Sequence, residues 1–134
     1  LNYSNLVDPS TRIIADPEQL KKVIDNIVGN SIKYMDKPKG VINIRILDEV
    51  DSVRVEIEDN GKGISTKDLG KIFERFYRTD ASRNSSTGGS GIGLSIVKKI
   101  IEDHGGYIWA TSKDGEGTCL HFVIRKYREA EENE

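Results

Sequence analysis

The apolar period of this chain switches from helical to two and back again, and that switching limits the fold more than any other feature. After Asp16-Pro17, which reads as an N-cap followed by proline at the first helical position, Leu20, Val23, Ile24, Ile27 and Val28 recur at helical spacing. They predict a helix running to about Tyr34. Residues 41–47 and 53–57 alternate apolar and polar, and 48–52 join them, so they predict a hairpin. Ile92, Ile96, Val97, Ile100 and Ile101 return to helical spacing, and His104-Gly105-Gly106 closes that helix. Residues 107–111 and 118–124 predict a second hairpin around 113–117. A helix with one apolar stripe and a strand with one apolar face must cover each other. The expected class is therefore α+β: a two-layer α/β sandwich, with a mixed, mostly antiparallel sheet and helices on one face.

The remaining segments carry weaker signals. Residues 1–3 and 12–15 read as short strands, and 37–40 as a turn. Ser65 followed by Asp68 resembles a capping signal and predicts a helix over 66–77. Residues 79–91 are polar, rich in Ser and Gly and without period, hence a mobile loop. Residues 128–134 form an acidic tail. At 134 residues the chain is expected to be a single domain, long enough to bury a core without staples. One Cys and two His exclude a disulfide framework and a cysteine-rich zinc site. Lys+Arg 20 against Asp+Glu 22 argues against nucleic acid as the main partner. No apolar run approaches the roughly 20 residues that span a bilayer, so no direct membrane contact is expected. The chain opens at Leu1 rather than Met and reads as part of something longer.

Four sites carry candidate chemistry. Asn26, Asn30 and Lys33 cluster on one flank of the first helix. Asn is a poor helix-interior residue, and its amide oxygen is a hard ligand suited to Mg²⁺. A solvated polar flank is the plain alternative. Asp59-Asn60-Gly61-Lys62-Gly63-Ile64 sets an aspartate and two glycines at the end of a strand. The carboxylate could accept hydrogen bonds from a ligand amine; an ordinary turn is the alternative. Gly88-Gly89-Ser90-Gly91-Ile92-Gly93-Leu94 opens a helix, where backbone N–H groups bind phosphate; a flexible linker competes with that reading. The dinucleotide fingerprint does not fit, because no strand precedes it, and no Walker sequence occurs. Gly115-Glu116-Gly117-Thr118 alone is a glycine hairpin. Eight of the 13 glycines fall in the last three sites, and that clustering favours a shared purpose.

In this order the sites resemble the ATP-binding catalytic domain of sensor histidine kinases, within the superfamily that includes DNA gyrase, the large heat-shock chaperone and mismatch-repair ATPases. The likeness runs from about Asp16 to Arg125. Asn26 to Tyr34 resembles the asparagine box, Asp59 to Ile64 the first glycine box, and Ile72 to Arg78 the phenylalanine box. Gly89 to Leu94 resembles the second glycine box, with Ser90 where Thr is commoner, and Gly115 to Thr118 the final one. The resemblance implies a Bergerat-type ATP-binding fold and a set of roles. Asn30 would coordinate Mg²⁺; Asn26 and Lys33 would contact phosphates or the metal shell; Tyr34 would pack near the nucleotide. Asp59 would receive the adenine amino group, with Gly61, Gly63 and Thr118 beside it. Ile64, Ile92 and Leu94 would line the adenine or lid side. Arg78, with Arg75 and beside Tyr77, would reach the terminal phosphates. Gly89, Gly91 and Gly93 would let a lid over 79–91 close.

One position separates branches of the superfamily. Hydrolytic members carry Glu where this chain has Asn26, and an amide takes no proton. The resemblance therefore implies γ-phosphoryl transfer to a histidine on a separate dimerisation domain, with a response regulator as eventual acceptor. It implies a cytoplasmic segment of a membrane-bound parent. His104 and His121 do not resemble the acceptor and read as structural. The upstream segment, 1–11, is shorter than the helix and strand usual there. A nucleotide-responsive interaction module and an anti-sigma-type serine kinase share the pocket and are the alternatives; an ATP-hydrolysing motor subunit is opposed by Asn26.

Overall fold

The computed structural model describes residues 1–74 and 93–127. Five strands form one sheet: β1 (Asn2–Asn5), β2 (Ile42–Asp48), β3 (Ser52–Asp59), β4 (Tyr107–Lys113) and β5 (Gly117–Arg125). Their order is β1-β2-β3-β5-β4, with β1 parallel to β2 and every other pair antiparallel. Among the described residues the helices are α1 (Pro17–Lys33), α2 (Thr66–Leu69) and α3 (Gly93–Asp103). The expected two-layer α+β sandwich with a mixed sheet is what forms.

The alternation in the strands sorts their side chains. Val55 and Ile57 of β3, Leu120, Phe122 and Ile124 of β5, and Ile108 and Ala110 of β4 all meet the stripes of α1 and α3. Val23, Ile27, Val97 and Ile101 come from those stripes and are fully buried. Each such side chain contributes about 1.5–3 kcal/mol by leaving water. Ile96, expected on the stripe of α3, is instead 38% exposed.

Capping fixes where α1 begins. Asp16 Oδ1 accepts from the backbone N–H of Glu18 (2.9 Å) and Gln19 (3.4 Å). His104, just beyond α3, reaches back to the same point: its Nε2 accepts from Asp16 N at 3.0 Å. Its Nδ1 lies 2.7 Å from the Ile100 carbonyl, so the ring proton sits on Nδ1. The histidine thus joins the start of α1 to the end of α3, the structural role expected of it.

Two segments depart from expectation. Residues 12–15 do not form a strand; they make a single antiparallel bridge, Ile13 to Lys126. Asp16 and Pro17 already belong to the start of α1, so the segment has no room to extend. The helix expected over 66–77 ends at Leu69. Beyond it, Lys71 N donates to Asp68 O and Glu74 N to Lys71 O, the three-residue spacing of tight turns rather than of an α-helix. Residues 75–77 of that expected helix, the loop over 79–91 and the tail over 128–134 lie outside the described residues.

Candidate functional site

Asp59 is the last residue of β3 and continues the inward-facing series Val53, Val55, Ile57. Its carboxylate stands where the apolar layer ends. Oδ1 accepts from Gly61 N at 2.9 Å and from Thr118 N at 3.3 Å. Oδ2 takes no hydrogen bond from the described residues, so one oxygen is anchored and the other is available.

The glycines around Asp59 permit backbones to close in on it. Gly117 has φ +140°, and a Cβ there would strike the Asp59 carbonyl oxygen. Gly63 has φ +76°, and a Cβ there would strike the Lys113 carbonyl oxygen. Both positions exclude ordinary side chains on conformation and on space. Ser112 completes the junction. Its Oγ accepts from Ile64 N at 2.7 Å, donates to the Gly117 carbonyl at 2.8 Å and lies 3.0 Å from Thr118 Oγ1. The sequence reading missed Ser112, although a polar residue following Ile108 and Ala110 on the inward face was the available signal.

Tyr34 ties α1 to this loop. It caps the helix, its N–H donating to Asn30 O at 3.1 Å, and its carbonyl accepts from Lys62 N at 3.3 Å. Two ammoniums flank its ring, Lys33 Nζ at 5.3 Å and Lys62 Nζ at 5.0 Å from the centroid. Such cation–π contacts are worth about 0.5–1 kcal/mol at exposed sites. Lys62 and Lys37 were also missed. Lys37 Nζ donates to Asp36 Oδ1 (2.9 Å), Gly61 O (3.0 Å) and Gly115 O (3.0 Å). Nothing in the pattern distinguishes that lysine from any other in a turn.

The polar flank of α1 faces the start of α3. Asn26 Nδ2 donates to Lys22 O at 2.8 Å, and Asn26 Oδ1 lies 3.4 Å from where a Gly93 Cβ would be. Asn30 is half-buried, and its side-chain amide makes no hydrogen bond to the described residues. Leu94 packs against the core. The structure therefore gathers Tyr34, Asp59, Gly61, Gly63, Ile64 and Thr118 at one junction and sets Asn26 against Gly93. Arg75, Tyr77, Arg78, Gly89, Gly91 and Ile92 lie outside the described residues.

A second polar cluster occupies the opposite face of the sheet. His121 Nδ1 lies 3.0 Å from Glu56 Oε2, its Nε2 2.9 Å from Thr111 Oγ1, and its ring stacks on Trp109 at 5.0 Å. Burial works to raise the Glu56 pKa, but the Arg45 and His121 hydrogen bonds outweigh it and hold that carboxyl below its ordinary range. Burial, with Glu56 and Glu58 nearby, pushes the Cys119 thiol up to about 12. Glu56, Cys119 and His121 are close enough to share an ion. However, Arg45 Nε at 3.0 Å and Arg54 Nε at 3.4 Å already hold the carboxylate. The cluster is an ion-pair lattice, and His121 is structural.

Residues 15–128 match the family described as histidine kinase-, DNA gyrase B-, and HSP90-like ATPase. The chain is 38% identical over 133 residues to the sensor histidine kinase WalK of Bacillus subtilis, covering 97% of this chain and 21% of that protein. It is 39% identical over 110 residues to the sensor protein kinase WalK of Staphylococcus aureus, covering 81% of this chain and 26% of that protein. The chain thus spans a fifth to a quarter of the length of these relatives. Among solved structures it resembles the mycobacterial sensor histidine kinase MprB (TM-score 0.80, 28% identity, 96% of this chain and 85% of that one). It also resembles the catalytic domain of the histidine kinase ThkA (TM-score 0.76, 34% identity, 92% and 77%).

Proposed function

The chain belongs to the histidine kinase-, DNA gyrase B- and HSP90-like ATPase family, and on that premise we propose that it binds Mg-ATP and donates the γ-phosphoryl group to a histidine on a separate dimerisation domain. The observation that carries the adenine end is the split carboxylate of Asp59: Oδ1 is anchored by two backbone N–H groups and Oδ2 is left to accept. An adenine amino group is a donor of the right kind for that oxygen. Tyr34 would pack on the base, with Gly61, Gly63, Ile64 and Thr118 lining its edge, and Leu94 beyond.

The phosphate end follows from α1 and α3. Asn26 and Lys33 would serve that side, Lys33 as a cation able to meet phosphate. The half-buried amide oxygen of Asn30, without a hydrogen bond among the described residues, is a hard ligand that fits Mg²⁺, which binds few protein groups. Bound there, the ion would neutralise charge shared between phosphate oxygens. Gly93 opens α3 without a side chain between Asn26 and the helix start, where backbone N–H groups attract anions. Arg75, Tyr77, Arg78, Gly89, Gly91 and Ile92 would complete the grip, with 79–91 as a lid that excludes water.

Asn26 supports transfer over hydrolysis. Its amide has no basic oxygen to take a proton from water, and its Nδ2 is engaged with Lys22 O. Positioning and charge stabilisation then suffice for phosphoryl transfer, with the basic nitrogen supplied by the acceptor histidine. A response regulator is the eventual phosphate acceptor. No helix among the described residues is long and apolar enough to cross a membrane, and we place this segment in the cytoplasm of a membrane-anchored parent.

The test mixes the chain with the dimerisation domain of its parent and γ-labelled ATP. Label that is acid-labile and base-stable on the added domain is expected. Release of inorganic phosphate at a steady rate without protein label would make the chain a hydrolase. Binding with neither outcome would make it an interaction module.

A further inference from the structure

A lysine ammonium carries three donors and no acceptor. Lys37 uses all three, on Asp36 Oδ1, Gly61 O and Gly115 O. The two carbonyls belong to separate segments, the loop after β3 and the turn between β4 and β5. Lys37 itself stands in a third, the exit from α1. The exit from α1 and the loop after β3 are also joined by Lys62 N to Tyr34 O at 3.3 Å and by Asn60 Nδ2 to Lys39 O at 3.2 Å, and the loop and the turn by Gly115 N to Lys62 O at 2.6 Å. The two donors that hold Asp59 Oδ1 are Gly61 N, in the tied loop itself, and Thr118 N, in β5 three residues beyond the tied Gly115. Any relative slip of the two segments would stretch one of those bonds and turn the carboxylate.

We propose that Lys37 is a positioning residue for the nucleotide: by tying the Gly61 and Gly115 carbonyls it fixes the direction of the Asp59 carboxylate. This rests on the reading of Asp59 as the adenine-binding group. Lys37 acts through the backbone and touches no substrate. Its side chain is about one-third exposed (34%), so the donors are partly withdrawn from competing water, and charge-assisted bonds of this kind are roughly twice as strong as neutral ones.

The experiment uses ADP and IDP, which differ at the purine six-position: an amino donor in one, a carbonyl oxygen in the other. Calorimetric titration with Mg²⁺ is run on the wild-type chain and on Lys37→Met, Lys37→Arg and Asp59→Asn, with a thermal melt of each. Wild type is expected to prefer ADP. Lys37→Met should weaken ADP about tenfold and IDP by less than about threefold, shrinking the preference. Lys37→Arg, which keeps charge and donors, should restore most of it. A purely structural role would lower both affinities equally. A preference that survives Lys37→Met unchanged, with or without a general loss of affinity, overturns the proposal and leaves the Asp59 reading standing. A wild-type chain that binds ADP and IDP alike, or a preference that survives Asp59→Asn, overturns the Asp59 reading and this proposal with it.

Discussion

Two glycines of the β4–β5 turn offer a matched pair of substitutions that separates conformation from space. Gly115 has φ +83° and nothing within 4 Å of where a Cβ would sit. Gly115→Ala therefore carries only the left-handed backbone penalty, about 1–2 kcal/mol. Gly117 has φ +140°, and its Cβ would meet the Asp59 carbonyl oxygen and come within 3.1 Å of the Asn60 Cα. Gly117→Ala carries strain of about 1–3 kcal/mol and a backbone displacement costing about another 1–3 kcal/mol. The expected loss is about 2–6 kcal/mol, a large share of the roughly 5–15 kcal/mol that holds a domain together. Urea denaturation followed by circular dichroism reads both. With a slope of about 2 kcal/mol/M, a 4 kcal/mol loss moves the midpoint by about 2 M. The strand that shifts carries Thr118 N, one of the two anchors of Asp59 Oδ1. The folded fraction of Gly117→Ala should therefore also bind nucleotide more weakly than Gly115→Ala. A Gly117→Ala chain no less stable than Gly115→Ala would refute the close approach of these two backbones.

Asp59→Asn keeps Oδ1 for its two backbone donors and replaces Oδ2 with a donor that opposes an amino group. Stability should hold in a thermal melt, while ATP binding weakens by about 1.5–3 kcal/mol, roughly 10- to 150-fold in Kd; equal affinity removes Asp59 from the pocket. His104→Ala deletes the link from Asp16 N to Ile100 O and should lower stability by about 1 kcal/mol with nucleotide affinity unaltered; lost binding at full stability would contradict a structural role. Cys119 is pushed up to about 12 in the fold against an ordinary thiol at 9.0. The folded state therefore favours the neutral thiol: its contribution to stability is complete below pH 9 and is lost as pH rises toward 12. Alkylation by iodoacetamide at pH 8.5 should be much slower in the folded chain than in urea, and equal rates would show an accessible thiolate.

The local elements were legible because their signals are local. Asp16 and Pro17 mark the start of α1 in the sequence and cap it in the structure. Gly105, just beyond α3, has φ +78°, as a helix-closing glycine should. The alternation over 53–57 and 118–124 gives the inward face of β3 and β5 correctly, because period two leaves no choice of side. Pairing across distance was not legible. That β1 runs parallel to β2, and that β5 lies between β3 and β4, depends on contacts no local pattern encodes. The expected helix over 66–77 misled because the Ser65 and Asp68 capping signal marks where a helix starts and not how far it runs. Ile72 is buried and Phe73 packs on the core from a turn instead. At the site, the box residues carry a chemical type that stands out. Lys37 acts on backbone carbonyls brought near only by folding, so no sequence period points to it.

The proposed function requires that this chain hold Mg-ATP by its adenine and its phosphates. Calorimetric titration of the wild-type chain with a non-hydrolysable ATP analogue, with and without Mg²⁺ and against the matching GTP analogue, tests it most directly. Saturable one-site binding, stronger with Mg²⁺ and selective for adenine, is the predicted result. A folded chain that takes neither analogue, or takes both alike, would contradict it.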